Sequence, residues 1–238
     1  TTGTQRVFKA AKVAGIKCAV HISSDSVLQN GRPLKNVNEM HPLPRKPAGA
    51  YSAGKAAAEK IAIQAASDGM RVIVLRPRMV WGRDDSTALP RLSKAVRDGK
   101  FAWISGGDYP SSAIHIANLC HAVELSFAWG KAGESYHISD GPARSFRDTV
   151  NGLLATQGLS AKGNSIPRPL IKLIAKASDG LYRSTGGRLR GPLSFQEYAT
   201  SAVEISLDTG KAQRDLGFTP VITFDEGLAE LSSDTASH

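Results

Sequence analysis

The sequence predicts an α/β fold built on a parallel sheet with helices on both faces, and three features support this. Cys18-Ala-Val-His-Ile22 and Arg71-Val-Ile-Val-Leu75 are short apolar runs, the pattern of strands buried on both sides. Between them lies an Ala-rich stretch, about Tyr51 to Ser67, long enough for a crossover helix. A further helical segment precedes the first run. Strand, long helix, strand is a βαβ crossover, and the leading helix supplies cover for the other face.

In chain order, Val7, Phe8, Ala11 and Ala14 recur at helical spacing and Gly15 supplies a stop. The first strand ends at Ser23-Ser24-Asp25. Residues 28–49 carry Pro33, Pro42, Pro44 and Pro47 and are expected to form a long loop. The crossover helix closes at Asp68-Gly69, and the second strand stops at Arg76-Pro77. Downstream, 89–98 and 118–129 are expected as helices, 113–116 as a short extended segment and 135–139 as another strand. From Ser145 onward the pattern is mostly helical, over 145–157, 167–183, 208–216 and 225–231. Asp208 is a natural N-cap there, and Gly217 follows the last helical residue of its element. Thr185 to Pro192, TGGRLRGP, follows a helix rather than a strand and is expected to be a loop. Ser232 to His238 is expected to fray.

Composition narrows the function. The 238 residues, 41% hydrophobic and 21% charged, suffice for one large domain or a domain with an appended lobe. No run approaches the roughly 18 apolar residues of a membrane span, and no secretory signal pattern is present. Cys18 and Cys120 are the only cysteines, which argues against a disulfide framework and fits a reducing, cytoplasmic setting. His115 and His121 lie six apart without an HExxH pattern, so no metal site is expected. The net charge is +9, yet it is mostly dispersed and not interleaved with aromatics, so no nucleic-acid partner is expected. Residues 162–190 are the exception, with seven Lys/Arg against Asp179. A solvated basic face is the expected reading; an anionic substrate, a membrane surface or a partner protein are the alternatives.

In α/β sheets ligands bind beyond the carboxyl ends of the strands. Ser23, Ser24 and Asp25 stand at that end of the first strand, and Arg76, Pro77 and Arg78 at that end of the second. Tyr51 opens the helix between them, and Lys55 follows at i+4 on the same face. A phenol has a pKa near 10 and is a poor base at neutral pH, but an adjacent ammonium favours the phenolate. A serine hydroxyl at the strand end can hold a substrate oxygen beside it. That set suits proton transfer coupled to hydride transfer at a carbinol or carbonyl carbon.

With Y51-S-A-G-K55-A-A-A-E59 following H21-I-S-S-D-S-V27, the chain resembles the extended short-chain dehydrogenases/reductases, the NAD-dependent epimerase/dehydratase superfamily. Leu75-Arg76-Pro77 with Val80-Trp81-Gly82, S112-A-I-H-I-A-N118, Y136-H-I-S-D-G141 and DTGKAQRDLGFTP (Asp208–Pro220) extend the resemblance over nearly the whole chain. Ser145-Phe146-Arg147 and the tail are most similar to its 3β-hydroxysteroid/sterol dehydrogenase-like branch. The resemblance implies the C-terminal portion of a Rossmann-like doubly wound sheet with a smaller, mostly helical substrate-binding lobe. Residues 1–144 would be a partial NAD(P)-binding domain and 145–238 the lobe, which can interleave with it. It further implies Ser24, in preference to Ser23, as the hydrogen bond to the substrate oxygen, Tyr51 as acid/base, and Lys55 on the cofactor ribose. Tyr51, Lys55 and the segment Pro77, Arg78, Met79, Val80 would contact NAD or NADP, the segment through its backbone. Asp25 and His115 are expected substrate contacts, with strand-end capping and domain joining as their structural alternatives. A homodimer through helices around the YxxxK helix is also implied.

One departure stands out. The superfamily opens with a strand and a GxxGxxG turn that seats the pyrophosphate, and this sequence holds no such motif. The expectation is that the N-terminal half of the Rossmann domain is absent from these 238 residues. The activity expected is that of an NAD(P)-dependent oxidoreductase or epimerase acting on a secondary alcohol or ketone, with sterol-like substrates favoured. A nucleotide-sugar epimerase or dehydratase is the alternative within the superfamily. A non-catalytic binding protein on the same scaffold is the alternative outside it.

Overall fold

The structure is a computed structural model that describes residues 1–236. It begins with α1 (Thr2–Val13), β1 (Cys18–Ile22), a 3₁₀ turn at Asp25–Leu28 and β2 (Leu34–Val37). Helix α2 (Ala50–Ser67), β3 (Arg71–Pro77), β4 (Val80–Trp81) and α3 (Ala88–Arg97) follow. Next come β5 (Trp103–Ile104), β6 (Pro110–Ser111), β7 (Ile114–His115), α4 (Ile116–Trp129) and β8 (Ser135–Ile138). The remainder is β9 (Arg144–Ser145), α5 (Phe146–Ala155), β10 (Ser165–Ile166), α6 (Arg168–Ser184) and α7 (Phe195–Ser201). The last elements are β11 (Ile205–Leu207), α8 (Gly210–Leu216) and α9 (Phe224–Ala236).

Strands β1, β3 and β8 form one parallel sheet in that order, with Ile22 opposite Leu75 and Leu75 opposite Tyr136. Successive side chains of β3 alternate between faces. Val72 and Val74 pack with Ala62 of α2 and with Phe8 and Ala11 of α1. Ile73 and Leu75 pack on the other face with Leu119 and Ala122 of α4 and Leu216 of α8. The two-sided cover read from the apolar runs holds for β3, which is fully buried at its centre. Each such side chain contributes about 1.5–3 kcal/mol over its exposed state. Strand β1, expected to be buried as well, is the end strand of these three, only half-buried and with Ile22 exposed.

A second sheet runs β2-β11-β6-β9, parallel except for the antiparallel β6–β9 pair. It takes β2 and β6 from before residue 144, β11 from after it and β9 at the boundary itself, so strands from both regions share one sheet. This corrects the expectation that 28–49 is only a loop: β2 pairs there with β11, whose residues lie some 170 positions away. Against this sheet packs the buried face of α6, where Ile171 and Ala175 meet Val27, Leu34, Tyr198 and Ile205.

Local chemistry sets several boundaries. Ser194 and Glu197 form a capping box at the start of α7. Gly217 ends α8 with a left-handed φ of 67°, as its position implied. The cap of α8 differs from expectation: Thr209 occupies the N-cap position, while Asp208 Oδ1 accepts from Gly210 N–H at 2.7 Å. The chain stays helical to Ala236, and the remainder of the expected frayed end, 237–238, lies outside the described residues. Among the described residues no helix is long and apolar enough to cross a membrane.

Candidate active site

The carboxyl end of β1 and the first turns of α2 meet through Lys55. Its Nζ donates to the Ile22 carbonyl at 3.1 Å and the Ser23 carbonyl at 3.4 Å. An ammonium has three donors, so one N–H remains for a ligand hydroxyl. Burial lowers the Lys55 pKa below the ordinary lysine range. One turn earlier, Tyr51 leaves its ring 54% exposed. One turn later, Glu59 is buried and accepts from Arg76 Nε at 3.1 Å, from Arg76 Nη2, and from Ser23 Oγ at 2.6 Å. Tyr51, Lys55 and Glu59 recur at four-residue intervals, so one face of α2 carries an exposed phenol, an ammonium and a buried carboxylate.

The two serines separate sharply. Ser23 is 2% exposed and commits its hydroxyl to Glu59. Ser24 is half-buried, and its Oγ accepts from Ser26 N–H at 3.1 Å and lies 3.2 Å from Asp25 Oδ1. Its hydroxyl proton can turn from that long bond toward a ligand oxygen, which leaves Ser24 as the serine with a donor to offer.

Two side chains expected to contact substrate, those of Asp25 and His115, are held in the fold instead. Asp25 is buried and its Oδ2 accepts from Arg78 Nη1 at 2.9 Å and Gln29 Nε2 at 2.7 Å, so its carboxylate serves the fold. Arg78 is buried too, with further bonds to Ser111 Oγ and the Thr200 carbonyl; only its backbone can face a nicotinamide. Pro77 ends β3, and Met79 carries a φ of 41°, a costly conformation for a side chain of its size. The Met79 carbonyl accepts from Ile114 N–H, and Val80 pairs with Ile114 in the parallel β4–β7 ladder. The chain thus makes a fixed, irregular turn at the end of β3.

His115 is 1% exposed and packs in the corner between β4 and α4, the domain-joining place rather than an open one. Its Nδ1 accepts from Ala117 N–H at 3.2 Å, capping α4, and its ring stands 4.7 Å from that of Trp81. Asp140 fastens the same corner, accepting from His115 N–H, Asn118 Nδ2 and Trp81 Nε1. A Cβ at Gly82, whose φ is 127°, would come within 2.7 Å of His115 Nε2. Only a neutral imidazole can accept at Nδ1. Burial holds the His115 pKa below 6.5, outweighing the opposite pull of Glu230 and Asp140. The unfolded chain therefore takes up the proton first, so this contribution to stability is present above about pH 6.5 and lost as pH falls below it. His137, buried as well, shifts the same way. Thermal melts are expected to drop between about pH 7 and pH 5. His115→Asn keeps a cap acceptor without the titration and should remove part of that drop; an unchanged pH profile would exclude His115 as its source.

A cleft of about 680 Å³ opens at Tyr51, between the start of α2, the second half of α6 and the start of α7. Pro47, Ser178, Tyr182, Arg183 and Arg190 line it with Tyr51. Its size lies within the roughly 300–1,000 Å³ of small-molecule sites. A second cleft, about 740 Å³ beside Asp85 and Leu89, holds none of Ser24, Tyr51 or Lys55.

Residues 1–168 match the 3-beta hydroxysteroid dehydrogenase/isomerase family. The chain belongs to that family. It is 38% identical over 229 residues to the 4-hydroxy-2-methyl-3-oxo-4-farnesyl-3,4-dihydroquinoline-1-oxide ketoreductase of Stigmatella aurantiaca, covering 96% of this chain and 69% of that protein. It is 30% identical to the 2-alkyl-3-oxoalkanoate reductase of Stenotrophomonas maltophilia, covering 99% and 73%. A dTDP-glucose 4,6-dehydratase from Streptomyces venezuelae, solved with NAD and TYD bound, has the same fold, with a TM-score of 0.73 at 24% identity. That likeness covers 99% of this chain and 65% of the other. The parallel sheet covered on both faces agrees with the fold of that structure.

Sequence reasoning missed Glu59 and Asp140. Glu59 stood in the quoted YxxxK stretch, eight residues after Tyr51 on the same helical face, which was the available signal. Nothing local distinguished Asp140.

Proposed function

We propose that Ser24, Tyr51 and Lys55 carry out reversible reduction of a ketone to a secondary alcohol on a lipophilic substrate. The observation that carries this reading is Lys55 Nζ bonded to the Ile22 and Ser23 carbonyls, which fixes the Tyr51 helix against the strand end bearing Ser24. In the reducing direction the hydroxyls of Ser24 and Tyr51 donate to the carbonyl oxygen. Tyr51 then gives its proton to that oxygen, and the phenolate left behind is stabilised by the Lys55 ammonium. Lys55 would hold the cofactor ribose with its remaining donor, and the backbone of Pro77 to Val80 would contact the nicotinamide. A bound nicotinamide supplies the hydride to the carbonyl carbon, or takes it in the reverse direction. The helical region after residue 145 contributes the substrate wall through α6 and α7, which border the cleft at Tyr51.

The lipophilic ketone is favoured by the relatives, a reductase of a farnesyl-bearing ketone and one of alkyl-oxoalkanoates, and by the steroid chemistry in the family's description. The test is to follow NADH and NADPH absorbance with the native protein and a set of 3-oxo steroids and 3-oxoalkanoates. One equivalent of reduced cofactor consumed per alcohol formed is expected. Turnover without net cofactor change would indicate an epimerase instead, and failure to bind either cofactor would sink the proposal.

A further inference from the structure

Helix α6 presents three distinct stripes. Ile171, Ala175 and Ser178 are buried against the second sheet. At about 100° per residue, Lys172, Lys176 and Arg183 form a second stripe alongside. Leu170, Leu173 and Leu181 form a third, turned away from the packed face and 49%, 65% and 42% exposed. The turn that follows extends this surface with exposed Leu189 between Arg188 and Arg190. Arg190 stands 5.5 Å over the ring of Tyr182, which keeps that turn beside the helix. Asp179, the sole acid within 162–190, is occupied: its Oδ1 accepts from Phe195 N–H at 3.2 Å.

A helix that buries one apolar face ordinarily turns polar residues outward. Here the outward half is itself divided into leucines and cations, and its charge is strongly one-sided. We propose that this face of α6 and the 185–191 turn docks on an anionic lipid bilayer. Leucines enter the headgroup–acyl boundary while lysines and arginines reach the lipid phosphates along their flexible stems. A second copy fits less well, because each copy would bring the same excess positive charge to the contact. A nucleic acid would pair with the cations and leave the leucines in water. Ser178, Tyr182 and Arg183 also line the cleft at Tyr51, so a docked α6 sets that cleft at the lipid surface. The advantage to a membrane-dissolved substrate rests on the function proposed above; the docking itself does not.

Sedimentation with vesicles tests the docking without any measurement of activity. The native protein should pellet with phosphatidylglycerol/phosphatidylcholine vesicles, far less with phosphatidylcholine alone, and less as salt rises. Lys172→Glu with Lys176→Glu should weaken the partition coefficient at least about 30-fold, since two lysine attractions are lost and two repulsions added. Leu173→Ser should weaken it as well, with an unchanged thermal melt because that side chain is exposed. Lys9→Glu with Lys12→Glu on α1 changes the net charge equally and should leave pelleting intact. The proposal fails if anionic vesicles do not pellet the protein, or if the α1 pair costs as much as the α6 pair. It also fails if Leu173→Ser has no effect on pelleting, or if it instead dissolves a dimer seen by sedimentation velocity.

Discussion

Tyr51→Phe is expected to lower turnover roughly 10²- to 10⁴-fold while cofactor binding and the thermal melt stay close to those of the native protein. The substitution removes one oxygen and keeps the ring. The ring is largely exposed, so little packing is at stake. Lys55 stays fixed by the Ile22 and Ser23 carbonyls, and Glu59 by Arg76 and Ser23, so the helix keeps its place without the phenol oxygen. The loss should therefore fall on kcat with a smaller change in KM, because proton transfer belongs to the transition state. Ser23→Ala provides the contrast. It deletes a buried donor to Glu59 and should lower stability with a modest effect on rate, whereas the neighbouring Ser24→Ala should lower rate with little effect on stability. Steady-state rates and melts on the three variants separate these cases. Near-normal turnover in Tyr51→Phe would remove the acid/base role.

What the sequence made legible was local. Ser24 lies at the end of an apolar run, and Tyr51 and Lys55 are one helical turn apart, so chain order alone brings them to one edge of the sheet. The apolar runs at 18–22 and 71–75 likewise carry their own signal as strands, although they read alike and only the second is buried on both faces, because β3 lies between β1 and β8. Contacts between distant segments were not legible. The β2–β11 ladder joins residues about 170 positions apart, and two-residue strands such as β4, β7 and β9 are too short to show any period. Asp25 and His115 illustrate the same limit. Asp25 follows Ser24 directly and His115 lies in a motif-like segment, yet long-range partners, Arg78 for one and Asp140 for the other, draw them into the fold. On α6, Ile171 and Leu173 are equally apolar, and only the position of the second sheet decides which one is buried.

The Asp25–Arg78 pair is expected to have the largest effect on stability. Both side chains are nearly inaccessible, and Arg78 ties the turn after β1 to Ser111 of β6 and to the Thr200 carbonyl at the end of α7. Asp25→Ala leaves a guanidinium buried with neutral acceptors only, and removing one member of such a pair costs about 3–5 kcal/mol. At roughly 2–4 °C per kcal/mol for a chain of this size, the melting temperature should fall by about 6–20 °C. Arg78→Met alone should cost a similar amount, because it strands the carboxylate with neutral donors only, Gln29 and the longer bond from Ser24. Asp25→Leu combined with Arg78→Met should regain much of the loss, since an apolar pair carries no desolvation penalty. Urea unfolding of the singles and the double gives the coupling directly. Additive losses would mean that the two charges do not act as a pair. Asp25→Asn, which keeps an acceptor for Arg78, should retain native KM at a temperature where it is folded; a large rise in KM there would return Asp25 to the substrate site.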